Sequence, residues 1–148
     1  MEIAVLALGC FWGPEIKFGE LEGITKTEVG YCGGNNDVTT YEEVCSGNTN
    51  HAEVVKLEFD PKKISYEKIL KYFFEIHNST SLNAQGPDIG TQYRSEIFYF
   101  DEDQKKIAEK IIEENNKKLS GKVVTQFSLL KNYCPAEDYH QKYLEKKI

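Results

Sequence analysis

Strand-like and helical segments alternate along this chain, and no other feature of the sequence limits the possible folds as strongly. Short apolar or alternating runs predict five strands, at residues 3–8, 24–31, 54–59, 95–100 and 123–129. Helical patterns predict four helices, at residues 10–22, from Ser65, from Asp101 and at residues 135–146. The order β-α-β-β-α-β-α-β-α predicts an α+β fold, a two-layer sandwich whose helices pack on a mixed β-sheet.

The two longest connections in this pattern, residues 33–50 and 78–94, exceed ordinary loop length. Loops this long within a compact domain usually serve a function. No linker, repeat or low-complexity tract divides the 148 residues, a length that fits one domain. We therefore predict a single domain over residues 1–148, with a ferredoxin-like core and long active-site loops.

Charge and hydropathy argue against two classes of partner. The net charge of −6 leaves no sign of the basic face that binding to nucleic acid requires. The longest apolar runs fall far short of the ~20 residues that span a bilayer. Residues 1–8 are apolar, but they lack the basic region and the small-residue cleavage site of a secretion signal. These patterns predict a cytoplasmic protein that binds neither nucleic acid nor membranes.

Four cysteines, at positions 10, 32, 45 and 134, are widely spaced and form no Cys-x-x-Cys pair. A chain of this size does not need disulfides to hold its core together, so catalysis, redox cycling or core filling are the expected roles. The scattered cysteines and His51 give little support for a metal site. We expect no metal and no cofactor.

The stretch Gly9-Cys10-Phe11-Trp12-Gly13 carries the clearest chemical signal. A cysteine between a buried strand and a helix start lies near free backbone N–H groups and the positive end of the helix dipole. Both stabilise a thiolate. Phe11 and Trp12 can form an apolar wall for a small uncharged group. The alternative is that Cys10 is a buried core residue, which is the commoner case for a lone cysteine.

Several segments resemble, in order along nearly the whole chain, the motifs of the peptide methionine sulfoxide reductase A family. They are Gly9–Gly13, Gly30–Gly34, Tyr41–Gly47 with His51–Glu53, Gln85–Ser95 and Pro135–Gln141. The resemblance implies thiol-dependent reduction of methionine-S-sulfoxide, free or in oxidised proteins and peptides, as a repair reaction. It also implies that Cys10 is the nucleophile and passes through a sulfenic acid.

The resemblance assigns three further residues to the reacting sulfoxide group, and the chemistry requires such residues. A sulfoxide sulfur is a weak electrophile until its oxygen is protonated or strongly hydrogen-bonded. Glu53 is the expected proton donor if its surroundings keep it neutral near pH 7. Tyr41 and Tyr93 are expected to hydrogen-bond the oxygen as charge develops. Taken singly, Glu53 is better explained as a surface charge, and the tyrosines are also explained as half-buried rings.

Three more residues receive a supporting role from the resemblance. Phe11 and Trp12 are expected to hold the methyl group of the sulfoxide, and Asp88 to order the loop that bears Tyr93. Asp88 by itself is also explained as a turn former.

A resolving cysteine is not identified by the resemblance. Many relatives carry resolving cysteines in a tail beyond the last helix, and no such tail follows residue 146 here. Cys32 or Cys134 is one candidate; Cys45 matches a frequent family cysteine of uncertain role. Direct attack on oxidised Cys10 by thioredoxin, glutaredoxin or glutathione is the alternative. We favour it slightly, because an internal disulfide needs Cα atoms within ~7 Å, which sequence spacing does not establish.

Two competing functions use the same cysteine. A cysteine hydrolase or acyltransferase would pair Cys10 with His51 or His140, which requires a histidine within hydrogen-bond reach of the sulfur. A redox sensor or a binder of methionine-containing peptides would lack catalytic turnover.

Overall fold

The computed structural model describes residues 2–35, 39–46 and 49–143. Eight strands lie within these residues: β1 (Glu2–Leu8), β2 (Ile24–Cys32), β3 (Ala52–Phe59), β4 (Ala84–Gln85), β5 (Asp88–Ile89), β6 (Ser95–Tyr99), β7 (Gln126–Leu129) and β8 (Cys134–Pro135). The α-helices of the same residues are α1 (Trp12–Gly19), α2 (Tyr41–Cys45), α3 (Tyr66–Glu75) and α4 (Glu102–Lys118).

Six strands form one sheet in the order β7-β6-β1-β3-β2-β8. The inner four run antiparallel in the order β6-β1-β3-β2, which is the arrangement of two split β-α-β units and therefore ferredoxin-like. At the edges, β7 lies parallel to β6, and β8 lies antiparallel to β2. The predicted α+β fold with a mixed sheet is confirmed.

Alternation along the central strands gives the sheet two apolar faces. On one face, Leu6 and Leu57 pack with Phe18 of α1, Phe73 of α3 and Ile111 of α4. On the other face, a smaller cluster comprises Val5, Ala7, Cys32, Ala52, Val54 and Phe98. Because successive side chains of a strand point to opposite faces, a residue's position in its strand decides which cluster it joins.

The two long helices begin at residues that the sequence pattern identifies. The Ser65 side chain accepts a hydrogen bond of 3.1 Å from the backbone N–H of Lys68, and that of Asp101 accepts one of 2.8 Å from Gln104. Side-chain caps of this kind satisfy backbone donors that have no partner inside the helix. The predicted starts of α3 and α4 are confirmed.

The predicted helix at residues 135–146 is wrong for residues 135–142; Tyr143 is helical, and residues 144–148 lie outside the described part of the chain. Residues 134–135 form β8, and a 3₁₀ turn follows at Asp138–His140. The side-chain amide of Gln141 both accepts from the N–H of Val29 and donates to its carbonyl oxygen, each at 2.9 Å. This pairing with the edge of β2 provides partners that a helix could not, so it overrides the helical pattern.

The other predicted boundaries change less. The first helix covers Trp12–Gly19 rather than 10–22, and the last predicted strand shortens to Gln126–Leu129. Helix α2 was not predicted in the long loop after Gly33, although Thr40 caps it by accepting from the N–H of Glu43 at 3.2 Å. The second long loop contains the β4–β5 hairpin and a 3₁₀ turn at Thr91–Tyr93.

Candidate active site

Cys10 lies in the short turn between the end of β1 at Leu8 and the start of α1 at Trp12. Gly9 precedes it with φ +99°, a backbone conformation that residues other than glycine rarely adopt. A Cβ atom at Gly9 would also lie only 2.8 Å from Cγ of Gln85. Glycine is therefore required here twice, for the turn and for the close approach of the β4–β5 hairpin.

Glu53 lies at the start of β3, beside the end of β1. β1 and β3 are antiparallel with Leu6 opposite Val55, and Tyr31 of β2 is opposite Glu53. One Glu53 oxygen accepts a hydrogen bond of 3.4 Å from the N–H of Phe11. Its other oxygen has no partner among the described residues, although the residue is only 1% exposed.

Burial raises the pKa of the Glu53 carboxyl to about 8, against the opposing effect of the Phe11 N–H. The negative charge of Asp88 raises it further. A carboxyl group with this pKa is mostly protonated at pH 7 and is able to donate a hydrogen bond or a proton. The expectation that the surroundings of Glu53 keep it neutral agrees with this value.

The surroundings of Cys10 oppose the thiolate form that its position before a helix favours. Burial raises the pKa of the thiol to about 11, and the negative charges of Glu53 and Asp88 act in the same direction. The backbone N–H of Trp12 does lower the pKa, as the position at a helix start predicts. The loss of hydration is the larger effect, so the resting group is a neutral thiol.

Tyr41 and Tyr93 meet near Cys10 and Glu53, although they come from different loops. Tyr41 is the first residue of α2, and Tyr93 ends the 3₁₀ turn that follows the β4–β5 hairpin. The two phenols influence each other's pKa, which indicates that they share one site. Burial raises the pKa of Tyr93 to about 12 and that of Tyr41 still further, and the charge of Glu53 adds to both shifts. Both phenols are therefore available as hydrogen-bond donors.

Asp88 belongs to the β4–β5 hairpin and pairs with Gln85. Gln85 in turn holds the hairpin against the preceding loop. Its side chain accepts a hydrogen bond of 3.0 Å from the N–H of Asn78 and donates one of 2.6 Å to the carbonyl oxygen of the same residue. The negative charge of Asp88 raises the pKa of Cys10, Glu53 and Tyr93. The hairpin thus closes one side of the site.

Phe11 and Trp12 form an aromatic wall beside Cys10. Phe11 is buried and its ring centroid lies 5.7 Å from that of Tyr31. Trp12 is partly exposed, stacks on Tyr143 at 3.9 Å, and donates its indole N–H to Nδ1 of His140 at 3.1 Å. The wall is therefore held rigidly by the segment after β8.

Two residues that the sequence analysis did not assign to the reductase site hold this arrangement in place. The ring of His140 contacts Phe11, Trp12 and Tyr41, with centroids 5.4, 5.7 and 4.6 Å apart. Glu137 accepts one hydrogen bond from the Tyr41 N–H at 3.1 Å and another from the Tyr31 hydroxyl at 2.8 Å. Both belong to the segment predicted as a helix, so their contacts were not foreseen.

The remaining cysteines lie in three different environments. Cys32 is buried, and its thiol donates to the carbonyl oxygen of Lys131 at 3.2 Å. Cys134 is buried in β8, with its sulfur 3.8 Å from the carbonyl oxygen of Thr39. Cys45, at the end of α2, is exposed. All four cysteines of the chain are free thiols.

Comparison with known proteins gives one consistent result. The family model described as peptide methionine sulfoxide reductase matches residues 2–148. The chain belongs to this family. The peptide methionine sulfoxide reductase MsrA of Pelagibacter ubique is 74% identical over 147 residues, which cover 99% of this chain and 100% of that protein. The predicted family and the predicted oxidoreductase activity on methionine sulfoxide are confirmed.

Solved structures of relatives have the same fold as this reductase. Methionine sulfoxide reductase A of Corynebacterium diphtheriae matches with a TM-score of 0.94 at 36% identity, over 98% of this chain and 74% of that one. Mxr1 from Saccharomyces cerevisiae in reduced form gives 0.92 at 40% identity, over 98% and 84%. The same yeast protein in complex with Trx2 gives 0.67 at 28% identity, over 96% and 84%.

Two properties of the described residues bear on other classes of function. No helix among them has the length and apolar character that crossing a membrane requires. Within the same residues, no group of three or more His, Cys, Asp and Glu side chains is arranged to hold a metal ion.

Proposed function

We propose that this reductase reduces methionine-S-sulfoxide with Cys10 as nucleophile and Glu53 as proton donor, and that it thereby repairs oxidised proteins. The observation that carries the proposal is the buried Glu53 carboxyl, whose pKa of about 8 keeps its proton at neutral pH. It lies beside Cys10, because it accepts a hydrogen bond of 3.4 Å from the N–H of Phe11, the next residue. A neutral acid beside a thiol is the pair that sulfoxide reduction needs.

The proposed first step transfers the sulfoxide oxygen to Cys10. Glu53 donates its proton to the oxygen while the Cys10 sulfur attacks the sulfoxide sulfur, and the thiol proton replaces the lost one on the carboxyl group. The S–O bond of the substrate and the transient bond between the two sulfur atoms then break as the hydroxyl group passes to Cys10. The products are methionine and a Cys10 sulfenic acid, so methionine sulfoxide is reduced and the cysteine is oxidised.

Tyr41 and Tyr93 are proposed to stabilise the oxygen during this step. Each phenol keeps its proton at neutral pH and can donate a hydrogen bond as negative charge develops on the oxygen. Asp88 is proposed to order the hairpin and the turn that bears Tyr93. Its place in β5, two residues before Gly90, supports this role.

Phe11 and Trp12 are proposed to hold the methyl group of the substrate. With the oxygen directed to Glu53 and the methyl group against the aromatic wall, the third substituent of the sulfur must point to solvent for a peptide to fit. A chiral sulfoxide can satisfy all three conditions with one epimer, and the family motifs imply that this is the S epimer.

A dithiol protein is the proposed reductant of oxidised Cys10. A complex with Trx2 is known for the related Mxr1 of Saccharomyces cerevisiae, which supports a thioredoxin as the partner here. Glutaredoxin and glutathione are the alternative donors. Four free thiols fit a reducing compartment, and we propose the cytoplasm. The family model, which matches residues 2–148, supports a single domain over residues 1–148.

A single-turnover assay tests the proposal. Protein at fixed concentration is mixed with each epimer of a methionine sulfoxide peptide without reductant, and methionine is measured. We expect about one methionine per chain with the S epimer and none with the R epimer. The Cys10→Ser variant should form none while keeping the circular dichroism spectrum of the native protein. Methionine formation by Cys10→Ser would overturn the assignment of the nucleophile.

The competing hydrolase function has less support from the site. Apart from burial, the groups that change the pKa of the Cys10 thiol most are the Trp12 N–H and the charges of Glu53 and Asp88, and no histidine is among them. Nδ1 of His140 is occupied by the indole of Trp12. Hydrolysis of an activated thioester, measured with the same protein, would favour this alternative.

A further inference from the structure

The three cysteines other than Cys10 differ in their access to the active site, and Cys32 is on the wrong side of the sheet. Tyr31 pairs with Glu53, whereas Cys32 pairs with Ala52. Neighbouring residues of a strand point to opposite faces, so Cys32 faces away from the side chain of Glu53. It packs instead in the cluster that contains Val5 and Phe98.

Cys134 is separated from Cys10 by intervening strands. It lies on β8, which is separated from β3 by β2. The hydrogen bond from Phe11 to Glu53 holds the Cys10 turn over β3. Two strand spacings of about 4.8 Å place β8 about 10 Å from β3. Cys134 is moreover buried, with its sulfur 3.8 Å from the carbonyl oxygen of Thr39.

Cys45 is in a more favourable position at the end of α2. It is exposed, whereas Cys32 and Cys134 are buried. It follows Tyr41 by one helical turn, so the two side chains share a face of the helix. Val44, the residue before Cys45, packs in the same apolar cluster as Phe11, the residue after Cys10, so α2 lies against the Cys10 turn. Cys45 is thus the accessible thiol at the rim of the active site.

The geometry points to Cys45 as the resolving thiol that attacks the oxidised Cys10. This inference rests on the proposed function, which supplies the Cys10 sulfenic acid. The Cys45 sulfur bonds to the Cys10 sulfur, the S–OH bond breaks, and the hydroxyl group leaves as water with the Cys45 proton. A dithiol reductant then reduces the Cys10–Cys45 disulfide to two thiols and becomes a disulfide itself.

The test is a thiol count and a disulfide map after one turnover. Native protein is treated with excess S-sulfoxide peptide without reductant, denatured in an alkylating agent, and digested without reduction for mass spectrometry. We expect two of the four thiols to be lost for each methionine formed, and a peptide pair joined through Cys10 and Cys45. Formation of this bridge requires the two Cα atoms to approach within ~7 Å.

Three serine variants provide the comparison. Cys45→Ser should lose one thiol per methionine and retain a sulfenic acid that dimedone traps, whereas Cys32→Ser and Cys134→Ser should form the same bridge as the native protein. A bridge from Cys10 to Cys32 or Cys134, or loss of a single thiol in the native protein, would overturn the role of Cys45. Absence of methionine in the native protein would instead overturn the proposed function.

Discussion

Burial in the active site determines whether Cys10 or Glu53 loses its proton first. The pKa of the carboxyl is raised to about 8 and that of the thiol to about 11, in both cases chiefly by burial. At neutral pH both groups therefore keep their protons in the free protein. A bound sulfoxide carries partial positive charge on its sulfur, next to Cys10, and negative charge on its oxygen, next to Glu53. In this dry site it therefore favours a negative charge on the Cys10 sulfur and transfer of the Glu53 proton to the oxygen.

The first prediction concerns the pH dependence of the chemical step. Glu53 is active when protonated, so the single-turnover rate should be steady below pH 7 and fall as the pH rises through about 8. Glu53→Gln should lower the rate by about 100- to 10,000-fold, the usual contribution of a general acid. It should also remove the decrease near pH 8.

Rapid-quench measurements of the single-turnover rate at a series of pH values test both effects. Glu58→Gln, a change of the same type on the same strand in a partly exposed position, is the matched control and should keep the native profile. A native rate that increases through pH 8 would contradict protonated Glu53 as the active form.

At the scale of secondary-structure elements, the segment after β8 connects the parts of the active site. Glu137 receives hydrogen bonds from the first residue of α2 and from Tyr31 of β2. His140 touches the aromatic wall at the start of α1, and the N–H of Lys142 donates to the buried Glu15 of that helix at 2.6 Å. A short irregular segment thus fixes two helices against the sheet.

The second prediction concerns the anchoring of α2. Glu137→Ala removes the acceptor of the Tyr41 N–H and of the Tyr31 hydroxyl, so the free energy of unfolding should fall by about 1–3 kcal/mol. Because Tyr41 loses its fixed position, kcat/KM should fall by about tenfold, equivalent to ~1.4 kcal/mol.

Urea unfolding and steady-state kinetics measure these two changes. The control is Glu42→Ala, which removes the same charge from an exposed position of α2 and should leave both quantities within about 0.5 kcal/mol of native. Equal effects of the two substitutions would show that charge, not anchoring, is responsible.

At the scale of the whole molecule, a buried ion pair joins the site to the far edge of the sheet. Nε of Arg94 lies 2.7 Å from Glu96 of β6, and both side chains are buried. The Ser128 hydroxyl of β7 donates to the same carboxylate at 2.6 Å, and Arg94 donates to the carbonyl oxygen of Thr91 at 3.0 Å. The turn that bears Tyr93 is therefore tied to two strands.

The third prediction concerns this pair. Glu96→Ala leaves the Arg94 charge buried without its partner, so the free energy of unfolding should fall by about 3–5 kcal/mol. The exposed pair Lys117–Glu113 offers the control, because Glu113→Ala should cost no more than about 0.5 kcal/mol. Urea denaturation of the three proteins gives the comparison, and a cost below about 1 kcal/mol for Glu96→Ala would contradict the structural importance of the pair.

The sequence alone predicted the order of the long elements and the family. Strands β1, β2, β3 and β6 and helices α3 and α4 have strong local patterns, because the period of apolar residues reports directly on which face is buried. The capping residues Ser65 and Asp101 likewise act within one turn of the chain. Motifs such as Gly9–Gly13 indicated the chemistry because the local residue types and their order were distinctive.

Only the tertiary structure decided how the distant parts combine. The edge of β2 draws the Pro135–Gln141 segment out of its helical pattern, since pairing with Val29 satisfies backbone groups that no local signal reports. The ionisation of Cys10 was also decided there: its place before a helix lowers its pKa, but burial among residues far along the chain raises it by more. Desolvation depends on all surrounding atoms, and no stretch of sequence contains them.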